Sequence, residues 1–208
     1  VSGTHLFTNI KKTGYQSVPG TIYFKKKICK RMIISYKGWK SLFLLCLGIF
    51  AGTGFCMKWM EGDFVQNGSL FTIIGLEISY PKEQVSAILS GLDGPVKTIL
   101  RYHLSFDFAF MLGVYPGIAA LCMMARQKVR NRGLQELLRW LAILQLIAMA
   151  CDVYENCFLL KWINAPDKIT SFGFYHGLVL VKWALALPAA LLAIPLSFKK
   201  RRTDPQQV

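Results

Sequence analysis

Seven polar side chains lie inside stretches of this sequence too apolar to solvate them. His103 and Asp107 are four residues apart, so a helix puts them on one face. Asp152, Glu155 and Asn156 follow the 3 and 4 spacing of a second helical face, and His176 and Lys182 occupy a third apolar stretch. A charge at the centre of a membrane helix costs about 2.5–3.5 kcal/mol on insertion scales, so each of these groups needs a partner or a task. Asp152 and Lys182, opposite in sign, are the natural ion pair. His103, Asp107, Glu155 and His176 are acceptable ligand types for a divalent metal, but no spacing such as HExxH accompanies them, so no cofactor is assigned. The residues leave three uses open. They can hold helices together through interhelical hydrogen bonds. They can line a pocket for a small ligand or ion. They can serve an intramembrane enzyme, such as a metal-dependent hydrolase of a lipid or lipid-linked substrate, with Asp or Glu as general base and His176 nearby.

The elements that must position these groups are membrane helices. Of 208 residues, 53% are hydrophobic and 17% charged, against roughly a quarter charged in soluble domains. Crossing about 30 Å of hydrocarbon takes roughly 20 helical residues. Four stretches suffice, at about 41–60, 103–125, 138–160 and 174–198. Trp39, Trp59, Tyr102, Trp140, Trp162 and Tyr175 stand at their ends, where aromatic side chains favour the headgroup layer. The expected fold is all-α, an integral membrane four-helix bundle.

Lys and Arg set the orientation. Eighteen of the 25 basic residues fall before span one, between spans two and three, or after span four, and six fall on the other side. The basic side is expected to be cytoplasmic, with both termini there, in the plasma membrane. At about 1.5 Å per residue, Asp107, Asp152, Glu155 and Lys182 then all lie about 6–12 Å below the outer boundary. They are expected to form a polar pocket in the outer half of the bundle, and the inner half is almost wholly apolar. Residues 1–37 read as a basic, disordered segment, with Met32 a candidate natural start, and 199–208 as a basic tail.

The connection between spans one and two, residues 61–102, is the one long loop. Glu61-Gly62-Asp63 and Asn67-Gly68-Ser69 carry turn chemistry. Val85, Ile88, Leu89 and Leu92 recur at helical spacing after Pro81, which predicts a short amphipathic helix that either lies on the membrane surface or, as the favoured reading, caps the bundle as a lid. The stretch 70–78 is too short to span and reads as re-entrant, strand or interfacial helix. A second helix start is expected at Gly94-Pro95.

The remaining features have structural readings. The net charge of +14 sits at the edges of apolar runs, which suits anionic lipid at the cytoplasmic face and no nucleic acid. Gly48 and Gly52 form a GxxxG that can pack within the monomer or join copies into a homo-oligomer. Pro116, Pro188 and Pro195 are expected to kink or end their helices. The six cysteines have no CxxC pair and read as small buried hydrophobes.

The segments IIGLEISYPKEQVSAILSGLDG, LSFDFAFMLGVYPGIAALC and AMACDVYENCFLL carry a resemblance. Over residues 70–160 the chain resembles a set of small bacterial four-span membrane proteins with an Asp in span two and a D-x-x-E-N motif in span three. The resemblance implies the topology and singles out Glu77, Asp107, Asp152, Glu155 and Asn156. It implies no activity.

Overall fold

The computed structural model describes residues 35–199. The expected N-terminal segment up to residue 34, Met32 included, and the tail from residue 200 lie outside the described residues. Five α-helices carry the fold: α1 (Tyr36–Met60), α2 (Lys82–Ser90), α3 (Gly94–Arg126), α4 (Arg132–Asn164) and α5 (Phe172–Phe198). All but α2 are long and apolar enough to cross a membrane, with mean hydropathy between 1.6 and 2.1. The burial pattern inverts that of a water-soluble bundle. Leu146, Leu191 and Phe55 are exposed, whereas Asp152, Glu155, Asn156, Gln145 and Lys182 are buried. Apolar side chains on the outside need an apolar solvent, and that solvent is lipid.

Helices α3 and α4 each have 33 residues, about 50 Å of helix, so they extend well beyond 30 Å of hydrocarbon. The excess on one side receives the 61–93 connection; that side is called here the loop end, and the opposite one the basic end. The helix start at Pro95 is present, but it opens span two itself: α3 runs unbroken from Gly94, with Pro95 in its first turn where a missing N–H is harmless. Pro116, Pro188 and Pro195 all lie inside helices and end none of them.

The loop is ordered by its turn chemistry. Val65–Gln66 pairs antiparallel with Ser69–Leu70, and the two-residue turn between them puts Asn67 and Gly68 at φ 50° and 77°. Left-handed conformations at both positions are what an Asn-Gly hairpin supplies. Of the 70–78 stretch only Leu70 belongs to a strand. The stretch enters the bundle as a π-helical turn at Gly75–Ser79, with Gly75 and Leu76 buried. Helix α2 buries Val85, Ile88 and Leu89 in a loop-end core with Phe64, Leu100, Leu104, Leu159, Trp162 and Tyr175. Its stripe therefore caps the bundle.

Three sequence expectations change. Trp162 and Tyr175 are not headgroup anchors: both are buried, with ring centroids 4.9 Å apart. The Tyr175 hydroxyl donates to the Leu76 carbonyl at 3.3 Å, fixing the π-turn to α5. Gly48 and Gly52 pack on nothing in the monomer, since a Cβ at either meets no atom within 4 Å. Gly113 and Gly117, one turn apart on α3, make the close crossing instead. A Cβ on Gly113 would stand 2.6 Å from the Phe50 nitrogen and 2.9 Å from the Cys46 carbonyl oxygen of α1. Small residues let two membrane helices approach this closely. The five cysteines among the described residues divide: Cys46, Cys122 and Cys151 are buried, Cys56 is half-buried and Cys157 is exposed, and all five are free thiols, while Cys29 lies outside the described residues.

Candidate functional site

Helices α3, α4 and α5 pack on one another, and α1 packs chiefly on α3. Lys182 projects from α5 into the contact with α4, where its Nζ stands 2.8 Å from Asp152 Oδ1 and 2.6 Å from Glu155 Oε2. The π-turn adds a third carboxylate, with Glu77 Oε2 at 3.3 Å from the same nitrogen. Asp152 and Glu155 are three residues apart on α4 and so reach one point from successive turns. Tyr115 of α3 donates its hydroxyl to Asp152 Oδ2 at 2.7 Å. One ammonium of α5 is thus held by two elements, α4 and the π-turn, and α3 is tied in through Tyr115.

Three carboxylates around one ammonium cannot all be ionised in so dry a place, because like charges held together in low dielectric repel too strongly. Burial raises the Glu77 carboxyl above its ordinary value of 4.5. Lys182 offsets this in part, and Asp152 adds to it.

Beside it lies a second polar group. Asn156, one residue past Glu155, donates its amide to Asp107 Oδ2 at 2.7 Å, and at 3.4 Å to the Leu104 carbonyl. Among the described residues no cation stands within salt-bridge distance of Asp107. A cavity of about 270 Å³ is lined by members of both groups, Asp107 of the one and Asp152, Glu77 and Lys182 of the other. Phe110, Val114, Trp183 and Ala186 form apolar walls, and α1 contributes Gly54, Met57, Lys58 and Glu61.

His103 also lines this cavity. It is 1% exposed, its ring lies 5.2 Å from that of Phe64, and neither ring nitrogen has a hydrogen-bond partner. The nearest charge to it is Glu61, at 3.9 Å, which Lys58 holds at 2.6 Å.

The structure thus brings together His103, Asp107, Asp152, Glu155, Asn156 and Lys182. It leaves out His176, which is half-buried at the start of α5, stacked on Phe172, in a separate open hollow with Tyr80 and Pro81. Among the described residues no three His, Cys, Asp or Glu side chains are grouped to hold a metal ion. Helix α2 does not touch the cavity. The segment that closes over it is 73–77, through Ile73, Ile74 and Glu77. Helix α2 instead covers the aromatic core beside it.

Two contributors escaped the residue reading. Glu61 followed the end of span one and read as turn chemistry. Tyr115, between Val114 and Pro116, gave no polar signal within an apolar run. No family model matches this chain, and neither a curated protein nor a solved structure shows significant similarity to it.

Proposed function

We propose that this multi-pass membrane protein binds a small cation in its loop-end cavity, and that Asp107 is the recognition carboxylate. Asp107 itself carries the reading: it is half-buried, held in place by Asn156 and without a cation of its own. A carboxylate kept near the membrane interior without a counter-ion is costly unless a proton or a ligand neutralises it. The Lys182 cluster has a different part in this reading. Its ammonium is matched by Asp152, Glu155 and Glu77, so it fixes the helices around the cavity and keeps the wall rigid. We further infer that the loop end faces outward and the basic end the cytoplasm, because Arg126, Lys128, Arg130, Arg132 and Arg139 cluster at the latter.

Thermal melts of the purified protein with alkali cations, ammonium and small organic amines test the binding reading. At a hundredfold excess over Kd a ligand adds about 2.7 kcal/mol to stability. A saturable rise in Tm is expected with at least one cation class, and Asp107→Asn should lose that rise while melting near the wild type. No rise with any cation, or a rise retained in Asp107→Asn, would overturn it.

A further inference from the structure

We propose that the cation is the head of a single-chain amphiphilic amine, which reaches Asp107 sideways from the hydrocarbon between α1 and α5. This rests on the cation-binding reading above. Helix α1 packs chiefly on α3, and α3, α4 and α5 form the closed part of the bundle. The cavity takes Gly54 and Met57 from α1 and Trp183 and Ala186 from α5. It therefore occupies the seam between two helices that scarcely touch, and a seam between membrane helices faces lipid.

The chemistry of the walls runs in one direction. Toward the loop end Glu61 is engaged by Lys58 at 2.6 Å, so that rim carries an ion pair. Asp107 comes next, one turn below His103. From there Phe110 and Val114 follow on α3, and Val114 lies about 10 Å further toward the basic end at 1.5 Å per residue. The walls from the two seam helices, Gly54 and Met57 of α1 and Trp183 and Ala186 of α5, suit an alkyl chain, while Asp152, Glu77 and Tyr115 line the same cavity beside the head. His103, with both ring nitrogens unpartnered, stands one turn above and can bond a hydroxyl or second amine on the head. A cavity of about 270 Å³ equals the liquid share of roughly nine waters. That holds a small head and the first part of one chain.

Binding is measured by Tm in nanodiscs of zwitterionic lipid, with dodecylamine, butylamine and dodecanol compared at equal concentration in the membrane. Dodecylamine is expected to raise Tm saturably, with an apparent affinity at least tenfold above butylamine. Dodecanol should give no saturable rise, and Asp107→Asn should abolish the dodecylamine effect. Equal affinities for the two amines would overturn the amphiphile while leaving cation binding intact. No response to either amine would overturn the amphiphile, and would overturn cation binding with it where alkali cations and ammonium also give no rise. A dodecanol response equal to that of dodecylamine would show that the head is not read. A dodecylamine brominated in mid-chain should quench Trp183, so that quenching drops in Trp183→Phe; unchanged quenching there would remove the chain from the seam.

Discussion

Lys182 Nζ of α5 lies 2.6 Å from Glu155 Oε2 of α4, and the Glu155 side chain has no exposed surface. A contact so placed is decided by what happens when one partner is removed. Breaking a buried ion pair leaves a stranded charge and costs about 3–5 kcal/mol, whereas the intact pair adds little over an apolar one. Lys182 has three acidic partners, each carboxylate only one cation, and this asymmetry sets the first expectation.

Lys182→Met should be the most destabilising single change in the cluster, by about 3–5 kcal/mol. Glu155→Gln or Asp152→Asn leaves the ammonium with two carboxylates and should cost about 1–3 kcal/mol. Equilibrium unfolding in mixed micelles measures both. A Glu155→Gln loss as large as that of Lys182→Met would mean that the three acids are not interchangeable partners.

The crossing of α1 over α3 makes a contrast between glycines. Gly113→Ala forces a Cβ against the Phe50 nitrogen and the Cys46 carbonyl, which are backbone atoms that cannot turn aside. Overpacking of this kind costs about 1–3 kcal/mol. Gly117→Ala, with its Cβ 3.2 Å from that of Cys46, should cost less. Gly48→Ala and Gly52→Ala meet nothing and should leave the monomer's Tm unchanged. A drop in their Tm that depends on protein concentration would instead reveal an interface between copies.

Glu77 predicts a pH effect of definite sign. Burial holds its folded carboxyl above 4.5, with Lys182 opposing the shift and Asp152, Glu155 and Asp107 nearby. A raised carboxyl binds its proton more tightly folded than unfolded. Its contribution is therefore fully present below 4.5 and lost as the pH rises through the folded value. Glu77→Gln keeps the neutral form at every pH. The Tm of the wild type minus that of Glu77→Gln should therefore fall as the pH rises above 4.5. A flat or rising difference would mean that Glu77 is ionised in the fold.

Orientation is checked by labelling single cysteines in a cysteine-free background with a reagent that cannot cross membranes. Ser90→Cys, on the exposed side of α2, should react in intact cells, and Arg132→Cys should react only after permeabilisation. Equal labelling of the two in intact cells would contradict the four-span topology.

The four helices were legible because each is a run of apolar residues longer than a bilayer needs, and periodicity sufficed for α2. The polar residues were legible by cost: a charge in such a run has few reasons to be there. Helix identity and depth brought Asp152 and Lys182 to the same level from sequence alone. What sequence spacing could not carry was the path of residues 70–80. A π-turn has no periodic signature, so the segment that delivers Glu77 to Lys182 looked like one of three things. Trp162 and Tyr175 misled for a related reason. An aromatic near a span end is at the headgroup layer only when the helix stops there, and α4 continues to Asn164 while the loop packs around α5. Gly113 and Gly117 were visible as glycines but flanked Pro116, which drew attention to bending instead of contact.

The sharing of Lys182 has a consequence for how the chain is made. Its carboxylates belong to α4 and to the π-turn ahead of α3, whereas the lysine belongs to the last helix. During synthesis every acid of the cluster enters the membrane before its cation exists. Until α5 arrives, Asp152 and Glu155 have no lysine to pair with, and a chain truncated ahead of Phe172 leaves them without it. The final helix therefore completes the electrostatics of the ones before it, and a nascent chain lacking it is chemically distinguishable from a finished one.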